Sequence, residues 1–250
     1  MPGTLYLIPN TLGPADDHTA DPLTAIIPTS VQNIVAKLDY FIAENAKTTR
    51  AFLKLVALNN SLSKPLQEIR ISELNVQTDA TALPALLAPI LDGMDAGLIS
   101  EAGVPAVADP GANLVRLAHV HGIIVKPLVG PSSLLLAVMA SGLNGQSFAF
   151  NGYLPIDTTQ RVKRIKELEQ RSRQERQTQL FIETPYRNAA LLETLATTCQ
   201  ANTLICVATD LTLASETITT QSATKWKQAL GTGKSPDFHK KPTVFLLLAE

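Results

Sequence analysis

The chain has 250 residues, with 21 Lys and Arg against 22 Asp and Glu and a formal net charge of −1. Hydrophobic residues make up 45% and charged residues 17%, which excludes wholesale disorder and leaves enough apolar chain for one large or two smaller domains. The near-neutral total also excludes the simplest nucleic-acid signature, a strongly basic protein.

The longest apolar run, Leu134 to Ala140 (LLLAVMA), has seven residues. A membrane-spanning helix needs ~20. The N-terminus, MPGTLYLIPN, has no basic region ahead of its apolar stretch, so no signal peptide is expected. Cys199 and Cys206 form no C-x-x-C pair and are expected to be reduced cysteines in a cytosolic fold.

In chain order, Thr4–Ile8 (TLYLI) reads as a short strand running into Pro9, then a polar loop through Asp21. Apolar residues at 31, 34, 35, 38 and 41 predict an amphipathic helix over 31–41. Ala43 begins a second strand-to-loop transition through ENAKTTR, and Arg50–Leu58 reads as a helix. Leu83–Leu91 is helical with Pro84 near its start and Pro89 weakening its end. Gly97–Ser100 is a short buried strand before a Gly/Pro loop. Ala112–His121 is a helix, Ile123–Pro127 a strand and Ser132–Ser141 a helix. This alternation predicts an α/β protein with a mostly parallel sheet.

A composition shift follows. Residues 1–127 hold eight basic and twelve acidic residues, a net of −4, and residues 128–250 hold thirteen and ten, a net of +3. Much of the second-half positive charge lies in Arg161–Arg176, with seven basic and three acidic residues. Strands at Gln179–Glu183, Thr203–Ala208 and Thr243–Ala249 follow, with a helix at Asn188–Cys199. We place a domain boundary near 127–131, giving an N-terminal α/β domain (1–127) and a C-terminal one (128–250).

GTGKS at 231–235 resembles the end of a phosphate-binding P-loop. The full pattern needs a glycine five residues before Gly233, where Gln228 stands, and the preceding SATKWKQAL reads as helix rather than strand. It is therefore read as a surface loop. The histidines, His18, His119, His121 and His239, have no metal-ligand spacing, so no metal is expected.

ISEAGVPAVADPG (99–111) crowds Ser100, Glu101, Gly103, Val104, Pro105 and Asp109 into a loop after a buried strand. Such loops line the ligand crevice of a parallel α/β sheet, although a turn-rich connection explains the composition as well. PLVGPSS (127–133) repeats the arrangement: Ser132 and Ser133 are helix caps or anion-binding residues. The basic stretch Arg161 to Arg176 is either a solvated helix or arm, or a surface for RNA or another anionic partner.

The segments LYLIPNTLG, SEAGVPAVADPG, PLVGPSS, ASGL, FAFNGYLP and IETPYR occur in an order and spacing that resemble the tetrapyrrole-methylase superfamily of S-adenosylmethionine-dependent methyltransferases. The resemblance covers nearly the whole chain, and its closest branch is the small-subunit ribosomal RNA (cytidine-2′-O)-methyltransferase family. It implies two α/β domains, an N-terminal parallel sheet and a C-terminal mixed sheet, with the cofactor in the cleft between them and a cytoplasmic homodimer. It places S-adenosylmethionine against the loop Pro9 to Gly13, against Ser100, Gly103, Val104 and Pro105, against Ser132 and Ser133 after the Gly-Pro turn, and near Glu183 and Ala208 of the second domain.

Two charged motifs of that branch differ here. Its Glu-Asp-Thr-Arg reads Glu44, Asn45, Ala46, Lys47, and its Arg-Glu-Leu-Thr-Lys reads Thr209, Asp210, Leu211, Thr212, Leu213. The branch also carries a helical tail after its last strand, and no such tail is expected here. A hydroxyl acceptor needs a proton acceptor or electrostatic help, and Glu44, Glu101 and Glu183 are the catalytic candidates, each at or just after a predicted strand end. The reading is an S-adenosylmethionine-dependent, RNA-directed methyltransferase. The alternatives are a small-molecule methyltransferase of the same fold and a non-catalytic cofactor-binding module.

Overall fold

The computed structural model describes residues 1–14 and 23–249. Residues 15–22, which include His18 and the end of the polar loop through Asp21, and Glu250 lie outside the described residues. The chain divides into two compact units, Met1–Ser132 and Ser133–Glu250.

In the first unit the strands are β1 (Thr4–Ile8), β2 (Tyr40–Ala43), β3 (Arg70–Glu73), β4 (Ala96–Ile99) and β5 (Ile124–Pro127). They pair in parallel in the order β3-β2-β4-β1-β5. The helices are α1 (Thr29–Val35), α2 (Ala46–Val56), α3 (Leu83–Leu91) and α4 (Gly111–Val120). Alternate strand residues feed two cores, because successive side chains point to opposite faces. Phe41 joins Val31, Val35, Phe52 and Leu53 of α1 and α2. Tyr40 and Ile42 join Leu87, Ile90 and Leu114 of α3 and α4. Adjacent strands β1 and β4 therefore lead into helices on opposite faces, which is where a doubly wound sheet opens a crevice at its carboxyl edge.

In the second unit the elements are α5 (Ser133–Ser141), β6 (Phe148–Tyr153), α6 (Thr158–Glu175), β7 (Thr178–Glu183), α7 (Asn188–Thr198), β8 (Leu204–Thr209), β9 (Thr217–Ser222), α8 (Ala223–Gly231) and β10 (Thr243–Leu248). The sheet order is β6-β7-β10-β8-β9, with β6 parallel to β7 and every other pair antiparallel. The first sheet is thus parallel and the second mixed, as expected. Phe181, Ile205, Val207, Phe245 and Leu247 share a core with Ile165 and Leu168 of α6, Leu191 and Leu195 of α7, and Trp226 of α8. Phe181 and Phe245 stack with centroids 6.2 Å apart. Helix α5 packs on the other face, where Thr220 donates its hydroxyl to the Ser141 carbonyl at 2.7 Å.

The predicted helix over 31–41 is corrected: α1 stops at Val35, and Tyr40–Ala43 is a strand buried on both faces. A strand buried on both faces shows no alternation, so its apolar residues merged with the helical stripe before them. The basic stretch is a packed helix rather than an arm. Asp157 caps α6 by accepting from the Gln160 N–H at 2.8 Å. The buried Glu169 carboxylate accepts from the Gln200 N–H at 2.7 Å and the Thr203 hydroxyl at 2.5 Å. Strands β3, β6 and β9 are additions to the predicted set.

Phe245 is fully buried at the centre of the second core. Phe245→Ala is expected to cost about 3–5 kcal/mol of unfolding free energy, measured by urea denaturation. A loss well below that range would mean that the cluster collapses around the vacancy.

Candidate active site

Parallel pairing brings the carboxyl ends of β1, β2, β4 and β5 to one edge, although their loops come from distant parts of the chain. Asn10, buried just after β1, ties two of these loops together. Its side-chain amide donates to the carbonyls of Ser100 and Glu101, each at 3.1 Å, and its backbone N–H donates to the Gly103 carbonyl at 2.8 Å. Gly103 sits at φ 69°, a left-handed conformation that favours glycine. Gly130, after β5, packs so closely that a Cβ there would lie 2.2 Å from the Pro9 Cβ. Only glycine lets the third loop pass the first.

The loop after β2 joins the same group. Glu44 accepts the Glu101 backbone N–H at Oε2, at 3.1 Å. Asn45 caps α2 by accepting from the N–H groups of Lys47 and Thr48 at 2.9 and 3.3 Å, so its amide oxygen performs the capping role open to an aspartate there. Glu44, Ser100, Pro105 and Asp109 line a narrow hollow at this edge.

Asp109 organises the far end of the β4 loop. Its carboxylate accepts from the Ala106 N–H at 2.9 Å on both oxygens and from the Gly111 N–H at 2.7 Å. Ala106 and Ala108 are both left-handed, at φ 64° and 63°, so the loop stores backbone strain of the kind that clusters at functional sites. Burial pushes the Asp109 carboxyl up, the two backbone N–H donors oppose this, and the nearby Glu44 charge adds to the rise.

The structure thus gathers Pro9, Glu44, Ser100, Glu101, Gly103 and Pro105 around one sheet edge, with Val104 following Gly103. Pro9, Ser100, Gly103 and Pro105 are buried, and Val104 and Ser132 are half-buried. The Glu101 side chain is exposed. Ser132 closes the first unit, and Ser133 opens α5 in the second.

In the second unit Glu183 ends β7 with its side chain almost wholly buried. Oε1 pairs with Arg187 Nη2 at 2.6 Å and accepts from the Thr184 N–H at 2.6 Å, while Oε2 is buried without a partner. The hydrogen bond to Glu183 raises the Arg187 guanidinium above its ordinary value, against some desolvation. The register sets Glu183, Thr243 and Thr209 side by side across three strands. Thr243 Oγ1 lies 3.2 Å from Thr209 Oγ1 and accepts from Asn188 Nδ2 at 3.1 Å. Asn188 Oδ1 is likewise buried without a partner. Ala208 sits inside β8, paired with Val244 and Ile218.

Asn10 lies in the loop Pro9 to Gly13 that the resemblance places against the cofactor. Asn188, Thr209 and Thr243 were not expected as site residues, and the sequence carried no signal for them. His119 and His121 lie exposed at the end of α4. Among the described residues no group of three or more His, Cys, Asp or Glu is placed to hold a metal ion, and no helix is long and apolar enough to cross a membrane.

No family model matches the chain. A ribosomal RNA small subunit methyltransferase I from Xylella fastidiosa is 31% identical over 217 residues, covering 87% of this chain and 71% of the relative. The protein of the same name from Vibrio cholerae is 30% identical over 214 residues, covering 86% and 67%. The chain belongs to the ribosomal RNA small subunit methyltransferase I family. Its fold is that of the tetrapyrrole methylases: the methyltransferase CobJ superposes with a TM-score of 0.62 at 16% identity, covering 99% of this chain and 94% of the other. Cobalt precorrin-4 methyltransferase CbiF gives 0.58 at 14% identity, covering 98% and 94%.

Membership of this family makes the chain an S-adenosylmethionine-dependent methyltransferase. The residues present fit that cofactor. An unpartnered buried carboxylate oxygen, Glu183 Oε2, calls for a donor, and the cofactor carries hydroxyl and ammonium donors.

Asp109 provides a test of the loop after β4. Asp109→Asn keeps an amide oxygen for both N–H donors and removes the titration. Because the folded-state value is raised, the stability of the unsubstituted protein relative to Asp109→Asn should be greatest in acid. It should fall as the pH rises from the ordinary 3.8 through the raised value, then level off. Urea midpoints across a pH series read this difference, and a flat difference would contradict the burial argument.

Proposed function

We propose that the protein transfers the methyl group of S-adenosylmethionine to small-subunit ribosomal RNA. The observation that carries this reading is the 31% identity to a ribosomal RNA small subunit methyltransferase I over 87% of the chain. In this reading the cofactor contacts are Pro9, Ser100, Gly103, Val104, Pro105 and Ser132 of the first unit, and Ser133, Glu183 and Ala208 of the second. Homodimer formation and a cytoplasmic location belong to the same proposal.

The cofactor, when bound, supplies an electrophilic methyl on a sulfonium; the chain's residues supply position and proton handling. In-line displacement is governed by positioning, so loops pinned by Asn10 and Gly130 hold the reactants with little reorganisation. A hydroxyl acceptor must give up its proton. Among the three carboxylates, Glu183 has one oxygen fixed by Arg187 and Thr184 and the other unpartnered, the arrangement of a group that binds a hydroxyl. Glu44 is held at one oxygen by the Glu101 N–H, which favours a base or an orienting group at the first sheet edge. Glu101 contributes its backbone there, and its exposed carboxylate is the weakest candidate for a base.

Helix α6 supplies the RNA contact in this reading. Lys163, Lys166 and Arg176 are exposed and form no ion pair among the described residues. Three phosphate contacts with a single strand would give a salt slope of roughly −2 on a logarithmic plot.

Calorimetry with S-adenosylmethionine and transfer of a labelled methyl group to RNA from a strain lacking the protein test the proposal. Glu183→Gln, which removes a charged acceptor, is expected to weaken cofactor binding or slow transfer roughly tenfold to a hundredfold. The absence of cofactor binding by the unsubstituted protein would refute the class of reaction. Binding with transfer only to small molecules would refute RNA as acceptor.

A further inference from the structure

The second unit carries a cavity that this reading leaves unused. It opens beside edge strand β9, on the face of the sheet that packs α8, and has a volume of about 340 Å³, open to solvent on one side. That is at the lower end of the range of small-molecule sites. Its floor is apolar, formed by Val207 and the buried indole of Trp226, whose Nε1 is already committed to the Ile205 carbonyl at 2.9 Å.

One wall is a row of neutral polar groups. Thr217, Thr219 and Gln221 alternate along β9 and so share a face, about 7 Å from one to the next. Thr219 stands opposite Val207 in the register, which fixes that face as the one above the floor. None of the three side chains has a hydrogen-bond partner among the described residues. Ala208, the cofactor contact in the reading above, points to the opposite face.

The other wall is the loop after α8, which contains the GTGKS segment. The segment follows a helix and is no P-loop, but its turn at Gly233, φ 73°, leads directly into Lys234 at the cavity. The two lysines there are not equivalent. Lys241 is bound to Asp237 at 3.0 Å, with Asp210 at 3.8 Å, while Lys234 forms no ion pair among the described residues. Lys234 and Lys241 against Asp237 leave the lining with one net positive charge. An apolar floor suits a planar ring, a row of hydroxyl and amide groups suits a ring edge or sugar hydroxyls, and an uncommitted ammonium suits a phosphate.

We propose that this cavity binds a nucleoside phosphate unit, with its ring over Val207 and Trp226, its polar edge along Thr217, Thr219 and Gln221, and its phosphate at Lys234. The unit is either a free nucleotide or one nucleotide of an RNA strand. Trp226 is the only tryptophan in the chain, so intrinsic fluorescence reports on the cavity floor. The full chain is titrated with adenosine monophosphate and, separately, with a short single-stranded oligoribonucleotide, each repeated by calorimetry.

A saturable response to the mononucleotide, weakened roughly tenfold or more in Lys234→Ala and in Thr219→Val, supports a free nucleotide. A response to the oligoribonucleotide alone, weakened in the same way, supports RNA as the source. Neither fluorescence change nor heat with either probe overturns the proposal, as does binding unaffected by both substitutions. S-adenosylmethionine, which carries no phosphate, is titrated in parallel, and its affinity should be unchanged in Lys234→Ala. If the unsubstituted protein binds S-adenosylmethionine but neither nucleotide probe, this inference alone is defeated; if it binds a nucleotide probe but not S-adenosylmethionine, the methyltransferase reading alone is defeated.

Discussion

The side chain of Asn10 holds two loops in one place that the chain brings together from ninety residues apart. A parallel sheet delivers its loops to a common edge but does not fix their mutual spacing. Two amide hydrogen bonds to the carbonyls of Ser100 and Glu101, with a backbone bond to Gly103, supply that spacing. The Ser100 carbonyl would otherwise be a buried acceptor short of this donor, and leaving such a group unpaired costs ~1–3 kcal/mol. The rest of the edge depends on this tie. Glu44 is anchored to a backbone N–H of the loop that Asn10 holds, and Gly130 passes Pro9 at a distance that tolerates no side chain.

The second unit solves a related problem with a mixed sheet. Antiparallel pairing of β10 with β7 and β8 sets Glu183, Thr243 and Thr209 in a transverse row, with Asn188 at the start of α7 completing it. Most of the hydrogen-bonding capacity of this row is satisfied internally. Glu183 Oε2 and Asn188 Oδ1 are left over, and both are acceptors. Leaving buried acceptors unpaired lowers stability, so their persistence in an otherwise well-satisfied sheet is a physical reason to look for a donor from outside the chain.

Legibility in the sequence followed burial pattern. AGLI of β4 and TVFLLL of β10 are apolar runs bounded by turn residues, and both were recognisable as strands. RISE of β3 and TITTQS of β9 were not, because sheet edges are half-solvated and carry polar side chains on both faces. The loops after β1, β4 and β5 were legible through their Gly/Pro composition and position. The transverse row was not: residues 183, 209 and 243 become neighbours only through strand register, and register is a property of the folded sheet. Asn188 had a further disguise, since an asparagine opening a helix reads as an ordinary cap.

Charge shows the same gap between a count and its meaning. The second half of the sequence is formally basic, but α6 consumes much of that charge locally. Arg161 is buried and donates to the Ile156 carbonyl at 3.1 Å; Arg164 pairs with Glu167 at 3.3 Å and Arg171 with Glu175 at 3.1 Å; Arg173 donates to Gln200 at 3.1 Å. An exposed charge acts over about 10 Å in ordinary salt, so a phosphate feels each cation together with the carboxylate beside it. Cations without an ion pair among the described residues, such as Lys163 and Lys166 on the helix, Arg176 at its C-terminal cap and Lys234 beside the cavity, matter more to an anionic partner than the formal total. Lys241 shows the converse. It lines the same cavity as Lys234, yet its charge is already shared between Asp237 and Asp210. Of two lysines at one opening, the unpaired one meets an incoming anion without first giving up a carboxylate.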